Sequence, residues 1–118
     1  MSFAKSALAL SLAACLLASQ AMAHSMNEEI DHLLGFIAGS PCAFFRNDVA
    51  YGGKEAVAHI KDKYQYYRND IHSAEDFIAL AASKSMITGK PYLVECDART
   101  VTASDWLAKE LAAFRQQP

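Results

Sequence analysis

Cys42 stands at the head of an aromatic run, SPCAFFRND over positions 40–48, and His59 follows in the next segment. These are the residue types of a thiolate nucleophile and its base, and that chemistry needs a free thiolate in an electropositive setting. Cys96 offers Cys42 a different fate, a structural disulfide. The other side chains able to do chemistry are mostly cations and hydroxyls: Arg46, Asn47, His59, Lys63, Arg68, Ser83, Ser85 and Lys90. His59 and Lys63 form an i, i+4 pair on one side of a helix. Arg46 and Lys90 flank a hairpin and the entry to a strand. If folding gathers these ends, guanidinium and ammonium donors hold a carboxylate or phosphate, with Ser83, Ser85 and Thr88 adding hydroxyls. The plainer alternative has the lysines solvated, Arg46 and Arg68 paired with acids, and His59 on a helix flank.

Two sharper chemistries are weaker. Ser83-Lys84-Ser85-Met86 contains serines, but a reactive serine needs a positioned base and oxyanion donors. Serines ahead of Gly89 and Pro91 more naturally end a helix. If the chain is cut after Ala23, the α-amino group and imidazole of His24 form a chelate for copper, with His32, His59 or His72 as a second ligand. Nothing in the sequence brings a second histidine there, and a chain end is usually mobile. No metal ligand, cofactor or catalytic residue is assigned.

The compartment decides the fate of Cys42. The chain begins MSFAK, continues through the apolar run SALALSLAACLLA and reaches Ala21-Met22-Ala23. The run is shorter than the roughly 20 residues that span a bilayer, and the small residues at 21 and 23 resemble an A-x-A cleavage site. A cleaved signal peptide over 1–23 and a single compact domain over 24–118 are expected, in the periplasm. Leu12-Ala13-Ala14-Cys15 offers a rival, a lipoprotein anchored through Cys15, although Leu16 and Leu17 carry the apolar run past that cysteine. Removal of Lys5 leaves ten of the 11 Lys and Arg residues against 13 Asp and Glu. That balance gives no general attraction to nucleic acid or anionic membranes, and no second apolar stretch is long enough for a membrane span.

Of the three cysteines, Cys42 and Cys96 remain in a compartment where thiols oxidise. In the chain-entropy account, closing a loop of about 55 residues contributes roughly 4 kcal/mol, a large share of what a small core supplies. The disulfide is therefore the expected fate.

The elements that position these residues follow from periodicity. Ile30, Leu33, Leu34 and Ile37 make one helical stripe from Asn27 onward, with Glu28, Glu29 and Asp31 near its positive end and Gly39 and Pro41 as the stop. Cys42–Arg46, Asn47-Asp48 and Val49–Tyr51 read as a small hairpin, with aspartate where glycine best tolerates positive φ. Lys54–Arg68 is a second helix with Val57, Ile60, Tyr64 and Tyr67 on its face; at least two of Tyr64, Tyr66 and Tyr67 are expected to be core or half-buried. Ser73 caps a third helix through Phe77, Ile78, Leu80 and Ala81, ended by Gly89 and Pro91. Tyr92–Cys96 is a strand, and Thr102 caps a last helix carrying Trp106, Leu107, Leu111 and Phe114. The class is α+β: about four helices on a small antiparallel sheet of about three strands. The disulfide requires the first and last strands to be neighbours.

FFRNDVAYGGKEAVAHIKDKY, followed by RNDIHSAEDFIALAASKSMITGKPYLV, resembles the YfeK-like family of small exported bacterial proteins, a domain of unknown function. The resemblance is carried by Phe45-x-Asn47 around Arg46, Glu55-Ala56, His59, Lys63, Arg68-Asn69, Ala74-Glu75 with Phe77-Ile78, and Ala82-Ser83 leading to Thr88-Gly89-Lys90-Pro91-Tyr92. The chain departs from the pattern at Asp48, where the pattern has glycine, and in its cysteine pair. The resemblance implies an envelope location and supplies no activity. The expected role is a non-catalytic binding or accessory module of the cell envelope, for an envelope protein or an anionic cell-wall ligand. The competing role is a small envelope hydrolase with His59 as general base.

Overall fold

The computed structural model describes residues 23–118. Cys15 and all but the last residue of the expected signal peptide lie outside the described residues. Helix α1 spans Met26–Ala38 and begins one residue before the expected Asn27, because Ser25 and Glu28 close a capping box. The Glu28 amide donates to Ser25 Oγ at 3.1 Å, and the Ser25 amide donates to the Glu28 carboxylate at 3.3 Å. Two otherwise unpaired donors are thereby satisfied at the helix start. The predicted stripe holds: Ile30, Leu33 and Ile37 are fully buried.

Strand β1 (Ala43–Arg46) turns through Asn47-Asp48 into β2 (Val49–Tyr51), and β3 (Leu93–Cys96) turns through Asp97-Ala98 into β4 (Arg99–Thr102). All four central turn residues have positive φ, between 50° and 67°, the requirement of two-residue turns whose twist matches that of the strands. The sheet order is β2-β1-β3-β4 with every pair antiparallel. One strand more is present than expected. Arg99–Thr102 has a strand's β-branched residues, but its turn, Asp-Ala, lacks the glycine that marks such a hairpin. Thr102 ends β4 and also caps the next helix, accepting from the Asp105 amide at 3.2 Å.

Helix α2 spans Gly53–Tyr66, and a short 3₁₀ turn over Arg68–Asp70 replaces the end of the helix expected to reach Arg68. A Cβ at Gly53 would run into the carbonyl oxygen of Ile37, so glycine lets the start of α2 touch the end of α1. Helix α3 covers Ala74–Ala81, capped by Ser73 as expected. It does not run on towards Gly89. Ser83 Oγ donates to the Ile78 carbonyl at 2.6 Å and closes the helix, while Lys84 bridges to Pro91 and makes 84–91 a pinned loop. Helix α4 spans Ala103–Arg115.

The core joins both layers: Phe77, Leu33, Ile37 and Leu107 from the helices with Phe44 and its cross-strand partner Val94 from the sheet. Cys42 and Cys96 are disulfide-bonded, with Cα atoms 4.8 Å apart at the adjoining ends of β1 and β3, within the normal reach of the bridge. No helix among the described residues is long and apolar enough to cross a membrane.

Candidate functional site

Side chains alternate along a strand, so Arg46 faces the same side as the buried Phe44 and lies at the turn end of its hairpin. Helix α2 passes over this face and presents His59 and Lys63 one turn apart. Arg46 donates from its guanidinium to His59 Nδ1 at 3.0 Å. The guanidinium lies 5.9 Å from the centre of the Tyr51 ring, and Tyr51 meets the His59 ring edge-on at 4.9 Å. Lys63 Nζ donates to the Lys84 carbonyl and, at 3.2 Å, to the Tyr92 hydroxyl.

This cluster is rich in donors and poor in acceptors. Guanidinium has five N–H groups and no acceptor. Because Arg46 occupies Nδ1, the neutral His59 ring carries its proton on Nε2. Tyr92 accepts from Lys63 and keeps its own O–H to donate. Among the described residues, neither Arg46 nor Lys63 forms an ion pair with a carboxylate; the carboxylate pairs belong to His24, His32, Lys90 and Arg115. Burial, followed by the positive charges of Arg46 and Lys84, pulls the Lys63 ammonium below the ordinary lysine range. Burial likewise pushes the Tyr92 phenol up. Beside the cluster lies a cavity of about 30 Å³ with an almost wholly apolar lining, to which Arg46, His59 and Tyr92 contribute along with residues such as Ala56, Ala82 and Trp106.

The remaining candidate residues are placed elsewhere or used internally. Asn47 Nδ2 donates to Ser85 Oγ at 3.2 Å, and Thr88 Oγ1 donates to Asn47 Oδ1 at 2.5 Å. Ser85 is buried and also accepts from the Ile87 and Thr88 amides. These bonds fasten the 84–91 loop to the first hairpin turn. Lys90 reinforces the junction through Asp48 at 2.9 Å, with both side chains exposed. Ser83 closes α3. Arg68 sits at a separate polar groove with Asp31, Lys61 and Gln65. The structure therefore groups Arg46, His59 and Lys63, and joins Asn47 to Ser85 beside them.

Tyr51 and Tyr92 were absent from the sequence-derived candidates. Tyr92 was legible: it lies two residues before Val94 and so shares the face of a core position. Of the helical tyrosines, Tyr64 packs edge-on against Phe77 at 5.3 Å and Tyr67 is half-buried, whereas Tyr66 is exposed, as the spacing implied. His59 makes no hydrogen bond to a serine among the described residues; its partner is Arg46. His24 stacks on Phe114 at 4.1 Å and His32 stacks on the same ring at 4.0 Å. An aromatic ring thus separates His24 from His32, one of the three histidines considered as its second copper ligand, and no cluster of three or more metal-ligating side chains occurs among the described residues.

A 49-residue stretch is 51% identical to the "Uncharacterized protein YfeK" of Salmonella typhimurium, which covers 42% of this chain. The match spans about two-fifths of that relative's length, 41%. No solved structure matches the chain. The profile of a family of unknown function, DUF5329, matches residues 24–115, which include every side chain of the cluster, and the chain belongs to that family.

Proposed function

We propose that the protein is a non-catalytic binding module of the bacterial cell envelope and that Arg46, His59, Lys63 and Tyr92 receive the anionic group of its ligand. One observation carries this reading: two half-buried cations converge with spare donors and, among the described residues, no carboxylate pairs with either. A cation half removed from water loses solvation, and an incoming carboxylate or phosphate restores it through charge-assisted hydrogen bonds. Export belongs to the same proposal, with residues 1–23 as a cleaved signal peptide. The Cys42–Cys96 bridge is compatible with an oxidising compartment.

Titration of the protein with acetate and inorganic phosphate, followed by NMR of the His59 and Tyr92 side chains, tests the binding reading. Saturable shifts lost in Arg46→Ala and Lys63→Ala are expected. Shifts that persist in both variants, or that never saturate, overturn it. Mass spectrometry of the protein from the periplasmic fraction tests processing. The expected species begins at His24 and takes up no alkylating reagent before reduction.

A further inference from the structure

We infer that the ligand is a carboxylate carried on a carbon with a small aliphatic substituent, as at a peptide ending in alanine or in a short-chain acid. This rests on the anion-binding reading and adds the chemistry of what lies behind the anion.

The cavity beside the cluster is lined almost wholly by apolar surface, and Arg46, His59 and Tyr92 contribute carbon atoms to its wall while their polar ends stand next to it. At about 30 Å³ it exceeds the roughly 10–15 Å³ that one water needs, but a stable water also needs two to four polar partners. Almost none of the surface facing this space is polar, so a water in it finds too few partners. The space suits a methyl-sized group better than water, and it is far too small for an aromatic ring. Three of its lining positions are alanine, at 56, 82 and 103.

The donors match the other end of such a ligand. A guanidinium fork fits the planar carboxylate, and Lys63 with Tyr92 O–H stands on the same face. Inorganic phosphate uses the same donors and leaves the apolar space empty. A free acid and a peptide end share the decisive feature, a methyl one bond from the carbon bearing the carboxylate.

Competition calorimetry with the protein as isolated from cells reads this directly. Acetate is compared with propionate, N-acetylglycine with N-acetylalanine and N-acetylphenylalanine, and inorganic phosphate with acetate. Burial of one methyl predicts about fourfold tighter binding of propionate over acetate, or of N-acetylalanine over N-acetylglycine, from about 0.8 kcal/mol per buried carbon. The pair that shows the gain identifies a free acid or a peptide end as the source. N-acetylphenylalanine is expected to bind more weakly than N-acetylalanine. If neither pair shows the gain, or phosphate binds more tightly than every carboxylate, the inference fails while the anion site stands. If no anion binds, both fail. Ala82→Val, which fills the cavity, is expected to erase the methyl preference and retain acetate. The ligand series decides the matter without that variant if it does not fold.

Discussion

The Arg46 guanidinium of β1 donates to His59 Nδ1 of α2 across 3.0 Å. Guanidinium cannot accept, so this contact assigns the neutral imidazole to the Nε2–H tautomer and directs that N–H away from the strand. It also joins the sheet to the helix that carries Lys63. Nitrogen-15 NMR of His59 is expected to show an unprotonated Nδ1 and a protonated Nε2 in the neutral ring. Arg46→Met should mix the tautomers and cost roughly 1 kcal/mol, the net worth of one hydrogen bond. An unchanged tautomer in the variant would refute the assignment.

Lys63 is held below the ordinary lysine range by burial and by its cationic neighbours Arg46 and Lys84. Its proton is therefore bound less readily in the folded chain than in the unfolded one. In the window between those two values the unfolded state holds more protons, so stability rises with pH. Tyr92, whose phenol is raised, acts in the opposite direction above about pH 10. Urea midpoints measured between pH 7 and that limit are expected to climb in the native protein. In Lys63→Met the climb should shrink while stability at pH 7 holds or improves, because no buried acid loses a partner. The same variant should bind acetate at least tenfold more weakly, a loss of about 1.4 kcal/mol at the low end for a charged hydrogen bond.

Arg115 holds α4 to both α1 and α3. It donates to Glu29 at 2.7 and 2.9 Å and to Glu75 at 2.8 and 2.9 Å. Arg115 keeps Glu75 down at about 2 and lowers Glu29, which is buried, through the same kind of hydrogen bonds. Both carboxyls bind protons less readily when folded, so their stabilisation is present above the unfolded carboxyl range, near pH 4.3, and is lost as pH falls towards 2. Glu75 is exposed and solvent-screened, which leaves most of the weight on Glu29. Arg115→Gln is expected to cost about 2 kcal/mol at pH 7. It should also flatten the acid limb of a pH series of thermal midpoints; a parallel limb would overturn the assignment.

Ala98 occupies the left-handed region with φ 64° in the second hairpin turn, after Asp97 at 50°. A Cβ there costs roughly 1 kcal/mol or more, and glycine removes that cost. Ala98→Gly is expected to raise the thermal midpoint by roughly 4 to 8 °C for a domain of this size. A lowered midpoint would count against the turn geometry.

Local chemistry was enough to read much of this protein from its chain. The stripe of Ile30, Leu33 and Ile37, the caps at Ser73 and Thr102, the first hairpin and the α+β class all follow from periodicity and neighbouring residues. The Cys42–Cys96 bridge followed from cysteine count and the expected compartment. What the chain did not disclose depends on residues far apart in sequence. The second hairpin was hidden because Asp-Ala is a poor turn whose cost the β1–β3 pairing and the packed Val94 offset. The third helix stopped early because Ser83 found a carbonyl and Ser85 found Asn47. Arg46, His59 and Lys63 carry their charge and donors whatever the fold. Which of them meet, and that no acid among the described residues pairs with Arg46 or Lys63, was decided only when α2 was laid across the sheet, since proximity between charges is a property of packing and not of spacing along the chain.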